Sequence, residues 1–467
     1  MLPTPKNACL PRLALFIALS LPACALAQSC GVDTNFNAGL DESAYVAAVT
    51  MQTNGQILIG GAFTIAGSPS RINLARLNHD GGLDTNFNAG TAVDVGPVAS
   101  IAVQPDGKVL AAGSFYSSTG IVPAYIARLN TNGTVDRSFN PGLQVDGPIN
   151  SVAVQPDGKI LIAGPFVVVD GQVRRSIARL KSDGTLDASF DACVAGSPDG
   201  ANAMVLLDDG KILMAGYFTF STGVFRNGIA RLNSNGDVDP NFAPEPGVNS
   251  GAAINSIAVR NDGNILIGGN FSSYHFITRP GIAQLLTASG GAVDDEFNPG
   301  AGIDDGSSVF SLALLSNGKV VLGGNFTSFN NEVRQGIARL NTDGTLDADC
   351  DAGAGEAPRV SACALTAEGK VMAGGLFSSL GTVNQHALVR LNGDPLPFHL
   401  GAPERLPGGK FQIPFYGEPQ VAYSLQTSSN LIHWVALTNF TCVTDPMLLT
   451  DPGTTTGARF YRALGVR

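Results

Sequence analysis

The stretch SVAVQPDGKILIAGPF, residues 151–166, recurs along the chain in near-copies. Two of them are SIAVQPDGKVLAAGSF, which begins at Ser100, and SIAVRNDGNILIGGNF, which begins at Ser256. Seven glycines, each in a turn like DGK, follow one another at intervals of 51 to 55 residues: Gly55, Gly107, Gly158, Gly210, Gly263, Gly318 and Gly369. A fixed period of about fifty residues is typical of propellers, solenoids and arrays.

Each repeat unit contains four short apolar stretches. In the third unit these are INSVAVQ, KILIAGPF, SIARLK and TLDASF, and the turns PDG and SDG join the first to the second and the third to the fourth. Asp-Gly between apolar runs favours a hairpin, because glycine accepts a positive φ without steric cost. Four antiparallel strands make one propeller blade, so the sequence predicts an all-β protein with a seven-bladed β-propeller.

The two ends of the repeat array complement each other. The fourth-strand motif LDxxF appears first as VDTNF, residues 32–36, before the first complete unit. The last unit stops after LVRLNGD without such a motif. We therefore expect the N-terminal strand at residues 32–36 to complete the last blade, with Asp33 near Arg390. This pairing would close the ring and leave no free sheet edge.

The unit SVAVQPDGKILIAGPF…RSIARLKSDGTLDASFD resembles the delta-60 repeat, a family of secreted bacterial β-propeller proteins. The resemblance covers about residues 31–394. It implies the fold and export from the cell. It implies no general activity and no catalytic residues that could be carried over to this chain.

The residues outside the repeats indicate further segments. Residues 1–27 are typical of an export signal, with cleavage expected near Ala27, and lipidation at Cys24 is the alternative. The propeller is expected over residues 28–394, a Pro-rich linker over 395–407 and a small β-sandwich-like domain over 408–467. This last domain is similar to modules at the C-termini of secreted bacterial proteins, and we expect it to bury Trp434.

The charge, the apolar runs and the cysteines of the sequence limit the kinds of partner and metal that we expect the protein to bind. The formal net charge is −10, which argues against nucleic acid, because phosphate binding requires a basic face. No run outside the signal approaches the ~18 apolar residues of a membrane span. The cysteines beyond the signal are odd in number, so at least one forms no disulfide within the chain: Cys30, Cys193, Cys350, Cys363 and Cys442. The absence of C-x-x-C argues against zinc and leaves a disulfide open for an exported chain.

Two repeated motifs are expected to be structural. In five units the arginine of ARL precedes the Asp of LDxxF by eight residues, which places them opposite each other in a hairpin as an ion pair. We expect these pairs to be exposed, so that Arg179→Ala costs under about 1 kcal/mol. The phenylalanines that close the second strand are expected to pack between blades: Phe63, Phe115, Phe166, Phe218, Phe271, Phe326 and Phe377.

A ring of charged residues is the candidate binding site. Acidic residues lie 11 to 13 positions before the turn glycine in six units: Glu42, Asp94, Asp146, Asp199, Asp305 and Glu356. Arginines lie five positions before the ARL arginine position in five units: Arg71, Arg174, Arg226, Arg279 and Arg334. We expect both sets on one face, around the mouth of the central channel. Either the acids and arginines pair there, or the acids bind a cation or a basic partner.

Catalysis has little support in the sequence. The five histidines share no position in the repeat, and no H-E-x-x-H, G-x-S-x-G or phosphate-loop motif occurs. Calcium is only weakly indicated, because NTDGTLD at 341–347 lacks the glutamate of a calcium loop, and no other cofactor is expected. We expect an exported non-enzymatic scaffold or binding protein of the cell surface or extracellular space, with a protein or polysaccharide ligand. The alternative is a propeller-type glycoside hydrolase or lyase that uses rim carboxylates.

Overall fold

The computed structural model describes residues 30–465 except 66–70, 123, 140–143, 193–199, 221–225, 245, 354–358, 382, 394–398, 402–403, 407–409, 417–421, 429–434, 444–445 and 452–459. The predicted signal, with Cys24 and Ala27, therefore lies outside the described residues, as does Trp434. Within the described part, the regular elements are β-strands apart from one 3₁₀ turn at Thr287–Ser289. The prediction of an all-β chain is confirmed.

The strands between residues 45 and 391 repeat in units along the chain. The first unit contains β1 (Tyr45–Met51), β2 (Ile57–Ile65) and β3 (Arg71–Leu77). The second contains β4 (Val98–Val103), β5 (Val109–Gly113) and β6 (Ile126–Leu129). The third contains β7 (Ser151–Val154), β8 (Ile160–Ala163), β9 (Val168–Val169), β10 (Gln172–Val173) and β11 (Ile177–Leu180). The fourth contains β12 (Ala201–Leu206), β13 (Ile212–Phe220) and β14 (Arg226–Leu232).

The remaining units follow the same order. The fifth contains β15 (Ile254–Val259), β16 (Ile265–Gly269), β17 (Ser273–Tyr274), β18 (Ile277–Thr278), β19 (Ile282–Leu286) and β20 (Ala292–Val293). The sixth contains β21 (Val309–Leu314), β22 (Val320–Gly324), β23 (Ser328–Phe329), β24 (Glu332–Val333) and β25 (Ile337–Leu340). The seventh contains β26 (Arg359–Leu365), β27 (Val371–Leu376) and β28 (Leu388–Leu391). In each unit the first, second and third main strands form one antiparallel sheet.

The turn between the first and second strands has the predicted chemistry. In the third unit the amide of Gly158 donates to the Gln155 carbonyl oxygen at 2.9 Å, and Gly158 has a φ of +81°. The carboxylate of Asp157 accepts from the Lys159 amide at 3.1 Å. The aspartate therefore satisfies the backbone of the turn while the glycine supplies its left-handed residue.

The fourth strand is shorter than the sequence predicts. In most units it is a single antiparallel bridge, such as Leu180↔Leu186 in the third, and the fifth unit alone has a two-residue strand, β20, among the described residues. The reason is the aspartate of LDxxF. In the third unit the Asp187 carboxylate accepts from the Ser189 amide at 3.1 Å, and this local bond turns the chain away from the sheet.

The N-terminal segment pairs with the last unit. Val32 forms an antiparallel bridge with Leu391, and the Asp33 amide donates to the Arg390 carbonyl oxygen at 2.7 Å. The Asp33 carboxylate lies 2.8 Å from the Arg390 guanidinium. The predicted proximity of Asp33 and Arg390 is confirmed.

A disulfide fastens the same segment to the sixth unit. Cys30 is bonded to Cys350, with a Cα–Cα distance of 5.1 Å. Cys350 stands at the phenylalanine position of LDxxF, so the disulfide occupies the place that an aromatic ring fills in the other units. Cys363 and Cys442 form no disulfide, and Cys193 lies outside the described residues.

The hydrophobic core is divided into clusters that each join two neighbouring units. Phe166, for example, packs in one cluster with Leu110 and Ile126 of the preceding unit. Phe63 packs with Met372 and Leu388, so the first unit shares a core with the last. The seven GGxF phenylalanines are all buried, as predicted.

The C-terminal part forms two further sheets. The first contains β29 (His399–Leu400), β30 (Glu404–Arg405), β31 (Phe411–Tyr416) and β34 (Met447–Asp451), and the second contains β32 (Ala422–Ser428), β33 (Val435–Thr441) and β35 (Phe460–Gly465). Phe415 and Leu425, from different sheets, share one core. The stretch predicted as a linker, 395–407, thus contributes β29 and β30, since two-residue strands fit between its prolines. In the described residues no helix has the length and apolar character needed to cross a membrane.

Candidate functional site

Two sets of connections define one face of the repeat units, which we call the loop face. The first set leads from each LDxxF motif to the next first strand, and the second joins the second to the third strand. The two sets pair with each other through isolated bridges: Val95↔Tyr116, Val145↔Val169, Val248↔Tyr274 and Ile303↔Phe329. The short DG turns lie at the opposite strand ends, which we call the turn face.

Two of the acids predicted to ring the channel mouth, Asp94 and Asp146, accept hydrogen bonds from the backbone of the loop face. Asp146 accepts from the amides of Val167 and Val168 at 2.8 and 2.9 Å. Asp94 accepts from the Ser118 amide at 2.8 Å and from its hydroxyl. Each carboxylate thus ties the connection before the first strand to the connection after the second strand of its own unit.

In the sixth unit this position belongs to Asp304, whereas the predicted residue, Asp305, is exposed. Asp304 accepts from the amides of Thr327 and Ser328 at 2.8 and 3.0 Å. Although burial would raise it, the hydrogen bonds from the Ser328 amide, the Ser307 hydroxyl and the Thr327 amide hold the pKa of Asp304 below its usual range. The sequence count missed the position by one residue because the connection is longer in this unit.

The other predicted acids have different surroundings. Glu42 is exposed, and the neighbouring Asp41 accepts from the Ser43 amide at 3.0 Å. Asp199 and Glu356 lie outside the described residues. The fifth unit, which lacks an acid by the sequence count, has Asn249 at this position, and its side-chain oxygen accepts from the amides of Ser272 and Ser273 at 2.8 and 3.2 Å.

Four of the predicted arginines, Arg71, Arg174, Arg279 and Arg334, are buried, and the first three contact the LDxxF turns of their own units. Arg71 donates from Nε to the Phe87 carbonyl oxygen at 2.6 Å. Arg174 lies 3.4 Å from Asp191, and Arg279 lies 3.7 Å from Asp295. Arg334 donates to the Val333 carbonyl oxygen at 2.7 Å. Arg226 begins β14, and its side chain lies outside the description.

The arginines of ARL form ion pairs as predicted, but these pairs are buried rather than exposed. The side chains of Arg179 and Asp187 are each 8% exposed, and Nε lies 2.9 Å from the carboxylate. The Arg179 guanidinium lies 4.8 Å from the Phe190 ring centroid and donates to the Ser234 carbonyl oxygen of the next unit at 2.5 Å. The neighbouring unit therefore covers the pair, and we expect Arg179→Ala to cost more than the sequence-based value of under about 1 kcal/mol.

The lysine of each DGK turn supports the same carboxylate. Lys159 lies 3.1 Å from Asp187, and Lys370 lies 2.7 Å from Asp33. Although burial would raise it, hydrogen bonds from Ser189 and Lys159 lower the pKa of Asp187. The ARL arginines and the DGK lysines are thus parts of the joints between units.

Exposed apolar side chains concentrate on the loop face. Among the described residues of the repeat units, the large exposed apolar side chains all lie at the end of a second strand or in the connection that follows it: Tyr116, Ile121, Val173, Tyr217, Phe276, Val333 and Leu376. Each of six units contributes one or two of these side chains, so the loop face carries more exposed apolar surface than the turn face.

A cavity of about 600 Å³ opens on this face between the fourth and fifth units. Its lining includes Tyr217, Asn227, Asn249, Ser250, Ser273 and Phe276. At Gly247 the backbone of the cavity lining approaches the Asn227 carbonyl oxygen too closely for a side chain. Gly247 also has a φ of +78°, which favours glycine. The Asn227 side chain in turn donates to the Val248 carbonyl oxygen at 2.9 Å. Sequence reasoning missed this cavity, although the bulky Phe276 at a hairpin tip was a readable signal.

No group of three or more His, Cys, Asp or Glu side chains in the described residues is placed to hold a metal ion. The described residues of the loop face provide backbone caps, buried arginines, exposed apolar side chains and the cavity between the fourth and fifth units. Such a surface can bind a ligand without any group acting on a reacting bond.

Six stretches of the chain match the family described as "Domain of unknown function (DUF5122) beta-propeller": residues 52–87, 104–139, 155–190, 207–242, 315–349 and 367–394. These matches fall in six units and leave out the fifth. No curated protein matches the chain significantly.

Among solved structures, the chain is similar to a catalytically inactive virginiamycin B lyase from Staphylococcus aureus with quinupristin, at 13% identity and a TM-score of 0.45, over 75% of this chain and 96% of that chain. It is similar to a gluconolactonase from Xanthomonas campestris at 14% identity and a TM-score of 0.34, over 79% and 95%. It is also similar to an exo-β-1,3-galactanase from Phanerochaete chrysosporium with galactose, at 12% identity and a TM-score of 0.28, over 94% and 92%. Likenesses of this size carry no activity over to this chain. The six repeat matches, with the periodic sheets and the cores shared between units, indicate that this region is built from β-propeller repeats.

Proposed function

We propose that this chain is an exported, non-enzymatic binding protein of the cell surface or extracellular space. Its body is a seven-bladed propeller of the delta-60 type that is closed by the N-terminal strand and followed by a small C-terminal β domain. The contact of Asp33 with Arg390 and the core shared by Phe63 and Leu388 support closure of the ring. The Cys30–Cys350 disulfide supports export, because disulfides persist in oxidising compartments.

The observation that carries the binding role is the distribution of exposed apolar side chains. In the described units they lie on the loop face, where connections differ from unit to unit. A rigid scaffold that displays variable loops is a common arrangement for binding. The partner we propose is a protein or a polysaccharide, and no cofactor is required.

The charged rim residues contribute to binding by holding the loop face in shape. Asp94 and Asp146 fix the connections through backbone amides, and Arg71 and Arg174 fix the LDxxF turns beside them. A fixed surface binds with less loss of conformational entropy than a mobile one. A calcium ion at the Asp-Gly turns remains a subordinate proposal, to be tested by a calcium-dependent rise in melting temperature.

The enzyme alternative, a glycoside hydrolase or lyase that uses rim carboxylates, is less well supported. A general acid must carry a proton near neutral pH. The hydrogen bonds that Asp304 accepts lower its pKa, which keeps it ionised. Carboxylates that are occupied by backbone amides are suited to structural support rather than to proton transfer.

The test compares two surface variants of the secreted chain. The loop-face variant combines Tyr116→Ser, Val173→Ser, Val333→Ser and Leu376→Ser, which remove exposed apolar side chains. The matched control changes three exposed residues of the turn face: Pro105→Ser, Asp208→Ser and Asn261→Ser. Binding to cell-wall polysaccharides and to surface-protein extracts is measured by sedimentation with the insoluble material or by capture on a chip.

We expect the loop-face variant to lose at least about 90% of the binding and the control to keep it, because three or four buried apolar contacts together contribute several kcal/mol. Equal binding by the two variants would contradict the proposed role of the loop face. Turnover of a polysaccharide by the wild-type chain, lost on Asp146→Asn, would favour the enzyme alternative.

A further inference from the structure

We propose that the cavity between the fourth and fifth units is a binding site for a neutral carbohydrate. The site rests on the proposed binding role of the loop face and specifies its ligand class. Three observations carry it: the hairpin tip at Phe276, the asparagine at position 249 and the absence of charged side chains among the lining residues that the structure describes.

The hairpin tip of the fifth unit holds an aromatic residue in a conformation that aromatic residues avoid. His275 and Phe276 have φ values of +52° and +64°. The same two positions are Asp170 and Gly171 in the third unit, which tolerate a left-handed backbone. Phe276 is therefore strained where other units use permissive residues.

Packing within the protein does not offset this strain. The Phe276 side chain is 87% exposed, while the neighbouring His275 ring stacks on Tyr274 at a centroid distance of 4.8 Å. The histidine thus anchors the hairpin tip and leaves the phenylalanine projecting at the edge of the cavity. The backbone strain and the exposure of an apolar ring are both unfavourable in the free protein. Burial of the ring against a bound ligand offsets this cost.

Asn249 replaces the acid that caps the loop face in other units. Its side-chain oxygen accepts from the amides of Ser272 and Ser273, as the carboxylate of Asp146 accepts from those of Val167 and Val168. An asparagine keeps this cap and adds an NH₂ group with two donors, which an aspartate lacks. At a residue that lines the cavity, the replacement exchanges a negative charge for hydrogen-bond donors.

The described lining contains no Asp, Glu, Lys, Arg or His side chain. It combines the amide of Asn249 and the hydroxyls of Ser250 and Ser273 with the aromatic rings of Tyr217 and Phe276. Neutral donors and acceptors match the hydroxyl groups of a sugar, which both donate and accept, and aromatic rings cover its apolar face. The volume of about 600 Å³ lies within the usual range of small-molecule sites and fits a short stretch of a glycan.

Isothermal titration calorimetry of the full secreted chain measures its affinity for defined oligosaccharide probes. Neutral probes are hexasaccharides of β-1,3-glucan, β-1,4-xylan and N-acetylglucosamine, and oligogalacturonate is the acidic probe. The variants are Phe276→Gly and Asn249→Asp, and the control is Asp208→Asn, an exchange of the same kind at an exposed aspartate of the turn face. Melting temperatures are recorded for every variant.

We expect the wild type to bind at least one neutral probe more tightly than the acidic one. Asn249→Asp should weaken that binding by at least about tenfold, because one hydrogen-bonding group is lost and a charge is introduced. Phe276→Gly should weaken it similarly while raising the melting temperature, since glycine relieves the strain. Asp208→Asn should leave the affinity unchanged. A melting temperature that rises while binding falls would distinguish a ligand contact from a structural role.

Several outcomes would overturn the proposal. No binding of any neutral probe, preference for the acidic probe, or unchanged affinity in both cavity variants would each reject this site. If the loop-face variant nevertheless loses binding to surface proteins, the proposed function stands and only the carbohydrate site fails. If that variant also binds normally, both proposals fail.

Discussion

The third and fifth units fold alike but join the next unit through different side chains. In the third, Arg179 pairs with Asp187 at 2.9 Å. In the fifth, Gln284 stands in place of the arginine and donates to Asp294 at 2.6 Å. The hydrogen bond is kept, but the carboxylate has lost the cation that faces it in the third unit.

A second replacement in the fifth unit supplies the missing cation. Arg260 stands where the third unit has Gln155, and its guanidinium lies 5.7 Å from the Phe297 ring centroid. It donates to the Thr342 carbonyl oxygen of the next unit at 3.3 Å, as Arg179 donates to that of Ser234. The cation has moved from the third strand to the end of the first strand, and its contact with the following turn is retained.

The hairpin tips of the two units also differ, but here no second replacement compensates for the change. Asp170 and Gly171 suit the left-handed turn of the third unit, whereas Phe276 occupies the same backbone in the fifth with its ring in solvent. Where a joint between units requires a charge, the change is compensated by a second residue. Where a side chain serves a ligand, the cost to stability is left in place.

The largest expected difference between the two units lies in their aspartates. Asp187→Ala should lower the free energy of unfolding by about 3 to 5 kcal/mol, because it leaves the buried Arg179 without its partner. Asp294→Ala should cost only about 1 to 3 kcal/mol, because it leaves the neutral amide of Gln284 unsatisfied. Urea unfolding, followed by far-UV circular dichroism, measures the loss of stability in both variants. Equal losses would show that the charge of the arginine does not matter to the joint.

Transplanting the arrangement of the fifth unit into the third is a sharper test. Arg179→Gln alone should cost about 2 kcal/mol, the contribution of a hydrogen bond to a charged group. Adding Gln155→Arg should recover at least about 1 kcal/mol, because the new guanidinium takes the position of Arg260. Gln104→Arg, in the second unit, is the control and should recover nothing in the Arg179→Gln background. Recovery by the control would mean that added positive charge, not position, restores stability.

Low pH should weaken the Arg–Asp ion pairs between units, which the fourth unit has in the same arrangement as the third. In the fourth unit Asp239 lies 2.8 Å from Arg231 and 2.9 Å from Lys211. Although burial would raise it, hydrogen bonds from Lys211 and Asn241 lower the pKa of Asp239 to about 2. Because the folded pKa lies below the unfolded one, this contribution is present above about pH 4 and is lost as the pH falls toward 2.

The matched variant is Asp239→Asn, which cannot ionise. It should be less stable than the wild type at pH 7, and the difference should shrink as the pH falls from 4 to 2. A difference that stays constant over this range would contradict the assigned pKa. Thermal unfolding at each pH provides the comparison.

Repeated and local features could be predicted from the sequence. The hairpin turn at Gly158 and the pairing of Asp33 with Arg390 depend on short motifs whose spacing is repeated in most units. The burial of Arg179 could not be predicted, because the turn that covers it belongs to the next unit and only the ring arrangement brings it there. The position of Asp304 could not be predicted because the loop before the sixth unit is longer, and the role of Phe276 could not because no repeated motif marks the hairpin tip.

The smallest expected effect concerns the hairpin tips and tests directly whether the Phe276 backbone is strained. An added Cβ at Gly171 meets no atom within 4 Å, so Gly171→Phe should cost only the left-handed backbone energy, about 1 kcal/mol. Phe276→Gly should gain a similar amount, and the melting temperatures should move by about 1 °C in opposite directions. Asn331→Gly, at the corresponding tip of the sixth unit, is the control and should gain less, because asparagine tolerates this conformation. A loss of stability on Phe276→Gly would mean that the exposed ring supports the fold after all, and the contrast between compensated joints and an uncompensated binding residue would fail.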